Sequence, residues 1–421
     1  MVTTLKSKND SHGLVFLLCL ASCAAWASTS HAGSQTYGGS EADLRAKVAS
    51  HGFPSIFQAW SPAQNLNRAP ETAIPLSSME DMLQTAARHD LIFEGLSAFG
   101  LVGNNPVNLG MSTGFTAQSV KKAMALRAKI LALNPNTVLL GEIRYHDAQS
   151  GYFPDDSPWW LRDKSGDRVR KTSGTSLNGF FLLDLSQPGL QDQIATLCAA
   201  AIDTGALDGC MLDWWSKDTP EHIAIARKIR DKIGERGLIL VNVNGRLPTQ
   251  SAPYINGMFM EGFGAPFFSD WKTAVENLQW AAGHLRPPAF TAFEMWYPNG
   301  TRVSGTSGRN DLARMRLATT LSLCNSDGYM LYADPFPAPG HPHDWYSFWK
   351  PTLGAPIETA GRINSDGAYV RNFKNGTVLF NPPDNKKVRL VFEAPVTSQS
   401  TQEVGTQFSV PPGDGDIFIA K

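Results

Sequence analysis

From residue 53 to about 350 the chain alternates short apolar runs with segments whose apolar residues recur every three to four positions. The runs are "PSIFQAW" (54–60), "DLIFEGLS" (90–97), "TVLLGEIRY" (137–145), "LDGCMLDWW" (207–215), "GLILVNVN" (237–244), "INGMFMEGF" (255–263), "AFTAFEMW" (289–296) and "DGYMLYADP" (327–335). Runs of this length, bounded by turn residues, read as buried strands, and the periodic segments between them as helices covering a parallel sheet. Helices are predicted over 117–133, 191–205, 220–234 and 310–323, several opening on Pro or Asn and stopping at Gly. Eight strands in this alternation predict a closed (β/α)8 TIM barrel. An open doubly wound sheet would carry a glycine-rich phosphate loop after its first strand, and "QAWSPAQNL" has no glycine.

Beyond residue 355 the helical period stops. "GAYVRNFKNGTVLFNPPDNKKVRLVFEAP" and "TQFSVPPGDGDIFIA" alternate polar and apolar residues between turn signals, which predicts a small antiparallel β-sandwich. The expected layout is a leader over 1–40, a barrel over 41–355 and a β domain over 356–421. In the leader, Lys6 and Lys8 precede the apolar stretch "GLVFLLCLA", the charged and apolar regions of a secretory signal peptide. Two readings of its end stand side by side: a lipobox-like "LASC" that would make Cys23 a lipid anchor, or simple cleavage after "AWA". Either way an exported protein is expected: secreted, periplasmic or an envelope lipoprotein.

Composition narrows the function. The formal net charge is −1, so no basic face recruits nucleic acid or anionic lipid. Eleven tryptophans are many, and flat apolar rings with a polar edge suit sugars as well as cores. Past the leader, Cys198, Cys210 and Cys324 remain, an odd set without C-x-x-C spacing. This argues against a disulfide framework or a structural zinc site and predicts buried free thiols.

Barrel active sites lie at the C-terminal ends of the strands. The assignment sends Glu142, Asp213, Glu261, Glu294 and Asp334 to that rim, with Arg144, Asn242, Asn244, Trp60, Trp214, Trp215 and Trp296. Five carboxylates around one mouth repel one another, a cost that points to use. Glycoside hydrolysis uses a carboxyl pair with aromatic platforms for the sugar. Metal-assisted hydrolysis or deacetylation would need histidines, and only "HPHDW" (341–345) clusters them. A third possibility is a barrel that holds a glycan without cutting it. By alternation only one of Trp214 and Trp215 can face a sugar. Trp159 and Trp160 form either a stacking lip or loop packing, the loop 104–114 could cover the cleft, and Asp155, Asp156 and Asp163 read as solvated.

Together "PSIFQAWSPA", "LLGEIRYHDA", "DGCMLDWW", "MEGF", "SDGYMLYADP" and the closing "GAYVRNFKNGTVLFNPP" resemble (β/α)8 glycoside hydrolases with a small C-terminal β domain. The pattern is similar to the polygalactosaminidase-like branch and, more distantly, to α-galactosidase-like barrels. The resemblance implies an acid after strand four as nucleophile and one after strand six as acid/base, which are Asp213 and Glu261 here. Glu294 is the alternative catalytic carboxylate. Glu142, Arg144, Trp60, Trp215, Asn242, Asn244, Trp296 and Asp334 would bind a polysaccharide or oligosaccharide. No metal or cofactor is expected, and a membrane is met only through an anchor at Cys23.

Overall fold

The computed structural model describes residues 41–60, 79–172, 179–298, 310–334 and 341–420. The leader expected over 1–40, with "LASC" and "AWA", lies outside the described residues. No described helix is long and apolar enough to cross a membrane.

Eight parallel strands follow one another around a single sheet: β1 (Phe57–Ala59), β2 (Leu91–Gly95), β3 (Val138–Glu142), β4 (Gly209–Leu212), β5 (Leu238–Asn242), β6 (Gly257–Phe263), β7 (Phe290–Trp296) and β8 (Tyr329–Ala333). The ring closes through one parallel bridge, Ile56 to Met330, supported by a 2.9 Å bond from Met330 N to Ser55 O. The strands are buried almost end to end because helices cover them outside and side chains fill them inside. Phe57, Phe93 and Phe259 pack there with centroids 5.1–5.8 Å apart, and Trp60 sits edge-on to Phe93 and Phe259.

The helices are α1 (Glu41–Ala49), α2 (Met79–Ala86), α3 (Ala117–Leu133), α4 (Pro188–Asp203), α5 (Pro220–Ile233), α6 (Trp271–His284) and α7 (Leu312–Asn325). Their ends follow local chemistry. Pro188 and Pro220 open α4 and α5, where an amide donor would go unused, and Gly234 closes α5 at φ 54°. Asp270 accepts from the amides of Lys272 and Thr273 to cap α6.

The cysteine expectation is corrected here. Cys198 of α4 is disulfide-bonded to Cys210 of β4, and Cys324 alone is a buried free thiol. α4 leads straight into β4 and packs on it, so two cysteines 12 positions apart face each other across one βα layer. The odd count meant one local bridge plus one thiol.

The C-terminal strands, β9 (Arg362–Ile363), β10 (Tyr369–Phe373), β11 (Gly376–Asn381), β12 (Val388–Ser398), β13 (Val404–Val410) and β14 (Asp414–Ala420), form one antiparallel sheet in the order β9-β10-β11-β14-β12-β13. Its central strands are buried on both faces, while β9 and much of β12 and β13 are exposed. Val378, Phe380 and Ile417 join the barrel core, while Leu379 and Phe418 join a second core with Val388, Val396 and Val410. Arg316 of α7 ties the layers together through a two-point pairing with Asp414.

Candidate active site

The C-terminal ends of the strands make the mouth. Three of the four described non-glycine residues with positive φ lie there: Trp60 (48°) after β1, Trp214 (60°) after β4 and Asn244 (47°) after β5. The left-handed region costs an ordinary residue roughly 1–2 kcal/mol, and strain of this kind gathers at functional sites. β6 carries a further irregularity. Its register to β7 shifts between Met260 and Phe263, and Gly262 has φ +83°. A side chain at Gly262 would meet Phe267 at 2.9 Å and Trp296 at 3.1 Å, so glycine is what lets the chain turn beside Glu261.

Asp213 and Glu261 share one donor. Asn242, the last residue of β5 and 1% exposed, gives its Nδ2 to Asp213 Oδ1 at 2.7 Å and to Glu261 Oε2 at 2.5 Å. Those two oxygens can therefore be no farther apart than the two bonds end to end, 5.2 Å. Asn244 adds a second bond to Glu261 Oε2 at 3.2 Å. Burial raises the Asp213 carboxyl above its usual range, against the bonds from Asn242 and the Trp214 amide and the charge of Lys171. Burial also raises Glu261, to about 7; the charge of His341 opposes this and those of Asp213 and Glu294 reinforce it.

Glu294 is fully buried on β7 and held at both oxygens, by His341 Nδ1 at 2.5 Å on Oε1 and by Trp296 Nε1 at 3.0 Å on Oε2. The other ring nitrogen of His341, Nε2, lies 3.7 Å from Glu261 Oε1. Burial alone would depress the His341 ring, but Glu294, Glu261 and Asp213 overcome it and hold its pKa at about 9.

On the β3–β4 side, Glu142 accepts from Trp60 Nε1 at 2.9 Å. Burial raises its carboxyl, Arg144 acts against that, and Asp213 adds to it. Arg144 itself turns to Asp147 Oδ1 at 3.1 Å and lies over the Phe180 ring. Asp147 also takes Lys171 Nζ at 2.6 Å and His146 Nδ1 at 3.2 Å. Burial would raise it, and these partners hold it below the ordinary range. Lys171 comes from the connection between two paired segments, Asp147–Gln149 and Phe180–Leu182, where its amide bonds Phe180 O at 3.0 Å, and its Nζ sits 4.2 Å above the Trp214 ring. Sequence reasoning missed Lys171, which lies far along a loop in no motif.

Two ring assignments change. Trp215 is 1% exposed, packed on Tyr145 and His222, so it is out of reach of a bound sugar. The left-handed backbone at Trp214 turns the first tryptophan to the rim, where its half-buried ring stacks on His146, and sends the second into the core. Trp160 is likewise core, donating to Pro154 O, and Trp159 packs edge-on against Phe153. That pair is loop packing. Asp155, Asp156 and Asp163 are exposed, and the loop 104–114 is fastened to α4 through Gln193. Asp334 follows β8 with its amide bonded to Pro342 O.

A cation fits the histidines poorly. His343 turns away from His341, spending Nε2 on His89 at 2.9 Å and Nδ1 on the His341 carbonyl. Glu261, Glu294 and His341 do bring ligand atoms within 4.8 Å of one another. Nδ1 is already bonded to Glu294, which leaves His341 Nε2 and Glu261 facing each other, one short of the three protein ligands of a catalytic zinc.

No protein-family profile and no curated protein matches the sequence. Solved structures match in fold. An alpha-amylase from Lactobacillus plantarum superposes with TM-score 0.52 at 11% identity, covering 90% of this chain and 100% of that one. A noncanonic maltogenic alpha-amylase from Thermotoga neapolitana gives 0.51 at 10%, with 87% and 99% covered. The ligand-free cyclic alpha-maltosyl-(1→6)-maltose hydrolase of Arthrobacter globiformis gives 0.51 at 13%, with 89% and 100% covered. At such identity the likeness is one of fold: this chain is a (β/α)8 barrel with a C-terminal β domain, the architecture shared by these alpha-amylase-type proteins.

Proposed function

We propose that the chain is a glycoside hydrolase of the retaining type, with Asp213 as nucleophile and Glu261 as acid/base. The observation that carries this is the shared amide of Asn242, which limits the bonded oxygens of Asp213 and Glu261 to 5.2 Å. Retaining enzymes hold their carboxyl groups about 5–5.5 Å apart, whereas inverting ones need about 6.5–9.5 Å for an intervening water. Glu261, raised to about 7, gives its proton to the leaving oxygen while Asp213 forms the glycosyl ester. It then takes a proton from the water that cleaves that ester. Glu294, the alternative catalytic carboxylate, has both oxygens committed and supports the pair from behind. Trp60, Trp214 and Trp296 offer rings around the mouth.

The substrate class is a polysaccharide or oligosaccharide, in keeping with the carboxyl pair, the rings and the fold. The polygalactosaminidase-like resemblance rests on the strand-end motifs. Export is part of the same proposal: the leader composition argues for it, and a Cys198–Cys210 disulfide suits an oxidising compartment. Lipid attachment at Cys23 and cleavage after "AWA" are separated by mass spectrometry of the mature N-terminus.

The test is hydrolysis of soluble starch, poly-α-1,4-galactosamine and pectin by the wild type, Asp213→Asn and Glu261→Gln. Turnover by the wild type and loss in both variants, with folding intact, is expected. Binding to any of these glycans without turnover of any would instead make the barrel a glycan-binding module.

A further inference from the structure

Resting on that reading of Asp213 and Glu261, we propose that His341, clamped as an imidazolium by Glu294, is the positioning residue that lets Glu261 change from acid to base between the two halves of the reaction. The geometry is a buried chain. Glu294 Oε1 lies 2.5 Å from His341 Nδ1, and His341 Nε2 lies 3.7 Å from Glu261 Oε1, the oxygen that Asn242 and Asn244 leave open. The ring is wedged against Trp60 at 4.9 Å between centroids, and its own amide reaches Ala59 O, so its place is fixed from β1 as well. The charged groups facing it are Glu294 from β7, Glu261 from β6 and Asp213 just after β4; His343, on its own loop, is lowered by burial to about 4, with the charge of His341 adding to that. Three carboxylates around one ring favour the doubly protonated form.

The consequence follows the charges. In the free enzyme burial holds the proton on Glu261, the imidazolium pulls it off, and the charges of Asp213 and Glu294 push it back on; the balance stands near 7. Attack by Asp213 on the anomeric carbon breaks the glycosidic bond, and the Glu261 proton leaves with the aglycone oxygen. The new ester has no charge. The imidazolium then acts on Glu261 unopposed by Asp213 and keeps it a carboxylate, ready to accept a proton from water as the hydroxide oxygen displaces Asp213. Without a cation at position 341, Glu261 would recapture a proton from solvent and the ester would persist.

Two measurements decide this on the full chain. Nitrogen-15 NMR of histidine-labelled protein should show both His341 ring nitrogens protonated at pH 7.5, and Glu294→Gln should move that titration down by a unit or more. A neutral His341 ring at pH 7.5, or a ring that binds added Zn²⁺, would overturn the proposal. The second measurement follows nitrophenolate release from the 4-nitrophenyl α-glycosides of glucose, galactose and galactosamine. His341→Gln should slow the steady state about tenfold, corresponding to one pKa unit on Glu261, while leaving an initial burst and a glycosyl-enzyme visible by mass spectrometry. Equal slowing of both phases sinks the positioning role. If neither these glycosides nor the three polymers are cleaved, the glycosidase reading fails, and the NMR result still decides whether the Glu294–His341 clamp exists.

Discussion

Asn242 donates both hydrogens of one amide nitrogen to two different carboxylates, Asp213 at 2.7 Å and Glu261 at 2.5 Å. A single neutral side chain thus limits the spacing of the two proposed catalytic carboxyls and offsets part of their repulsion. Asn242→Ala should lower kcat on the order of 100-fold, as loss of a preorganised donor does. Asn242→Asp should also destabilise the fold, by putting a third carboxylate between the two. Steady-state kinetics and urea melts of both variants check this.

Activity and stability should fall together toward alkaline pH. A folded-state pKa raised above the unfolded value means the native protein binds the proton more tightly. For Glu261, raised from 4.5 to about 7, the stabilisation is fully present below the unfolded value and is lost as pH climbs through 7. For His341, raised from 6.5 to about 9, it is lost as pH climbs through 9. Calorimetry should show Tm declining across that whole span. Glu261→Gln should flatten its lower half and His341→Gln its upper half. The alkaline limb of kcat/KM should lie near 7 in the wild type.

Lys171→Met should cost about 3 kcal/mol, the penalty for stranding a buried charge. Asp147 is 3% exposed and would keep only Arg144 and His146. A urea denaturation series reads this directly, and a rise in the Asp147 pKa by NMR should accompany it.

The tryptophan at the rim gives a backbone test. At Trp214 φ is 60°, so Trp214→Gly should be more stable than Trp214→Ala by about 1 kcal/mol, although both lose the ring. Equal stabilities would show that the ring, and not the backbone, holds this corner.

Reducing Cys198–Cys210 should lower stability by about 3 kcal/mol, the chain-entropy value for a loop of this length. Cys210→Ser should reproduce that loss and keep most activity, because the interior of β4 remains packed. Urea melts with and without reductant are the measurement.

The barrel was legible because its strands are buried on both faces and so read as continuous apolar runs, most with an acid or amide at or near the downstream end. Asp213, Asn242 and Glu261 were found that way. Periodicity could not find Lys171, which arrives from a loop limb and meets Asp147 only in three dimensions. It misplaced Trp215 because alternation assumes an extended chain, and a left-handed Trp214 breaks that assumption. His341 was visible only as a histidine in "HPHDW", where its partner is a glutamate on another strand and not the histidine two positions on. The disulfide escaped a counting argument that looks for frameworks of several bridges.

The seam of the barrel has its own consequence. β6 and β7 share five registered pairs, yet among the described residues the β1 and β8 sides are bridged by Ile56 and Met330 alone. The cylinder is a split ring held by one clasp, and the residues just above the clasp, Trp60 on one lip and His341 beyond the other, are both part of the mouth. Fluctuations that part the lips would dismantle the candidate site while the remaining seven strand pairings stay intact. Hydrogen exchange at the Met330 amide should therefore run ahead of that at Met258 or Leu240, and a ligand seated in the mouth should slow it by acting as a second clasp.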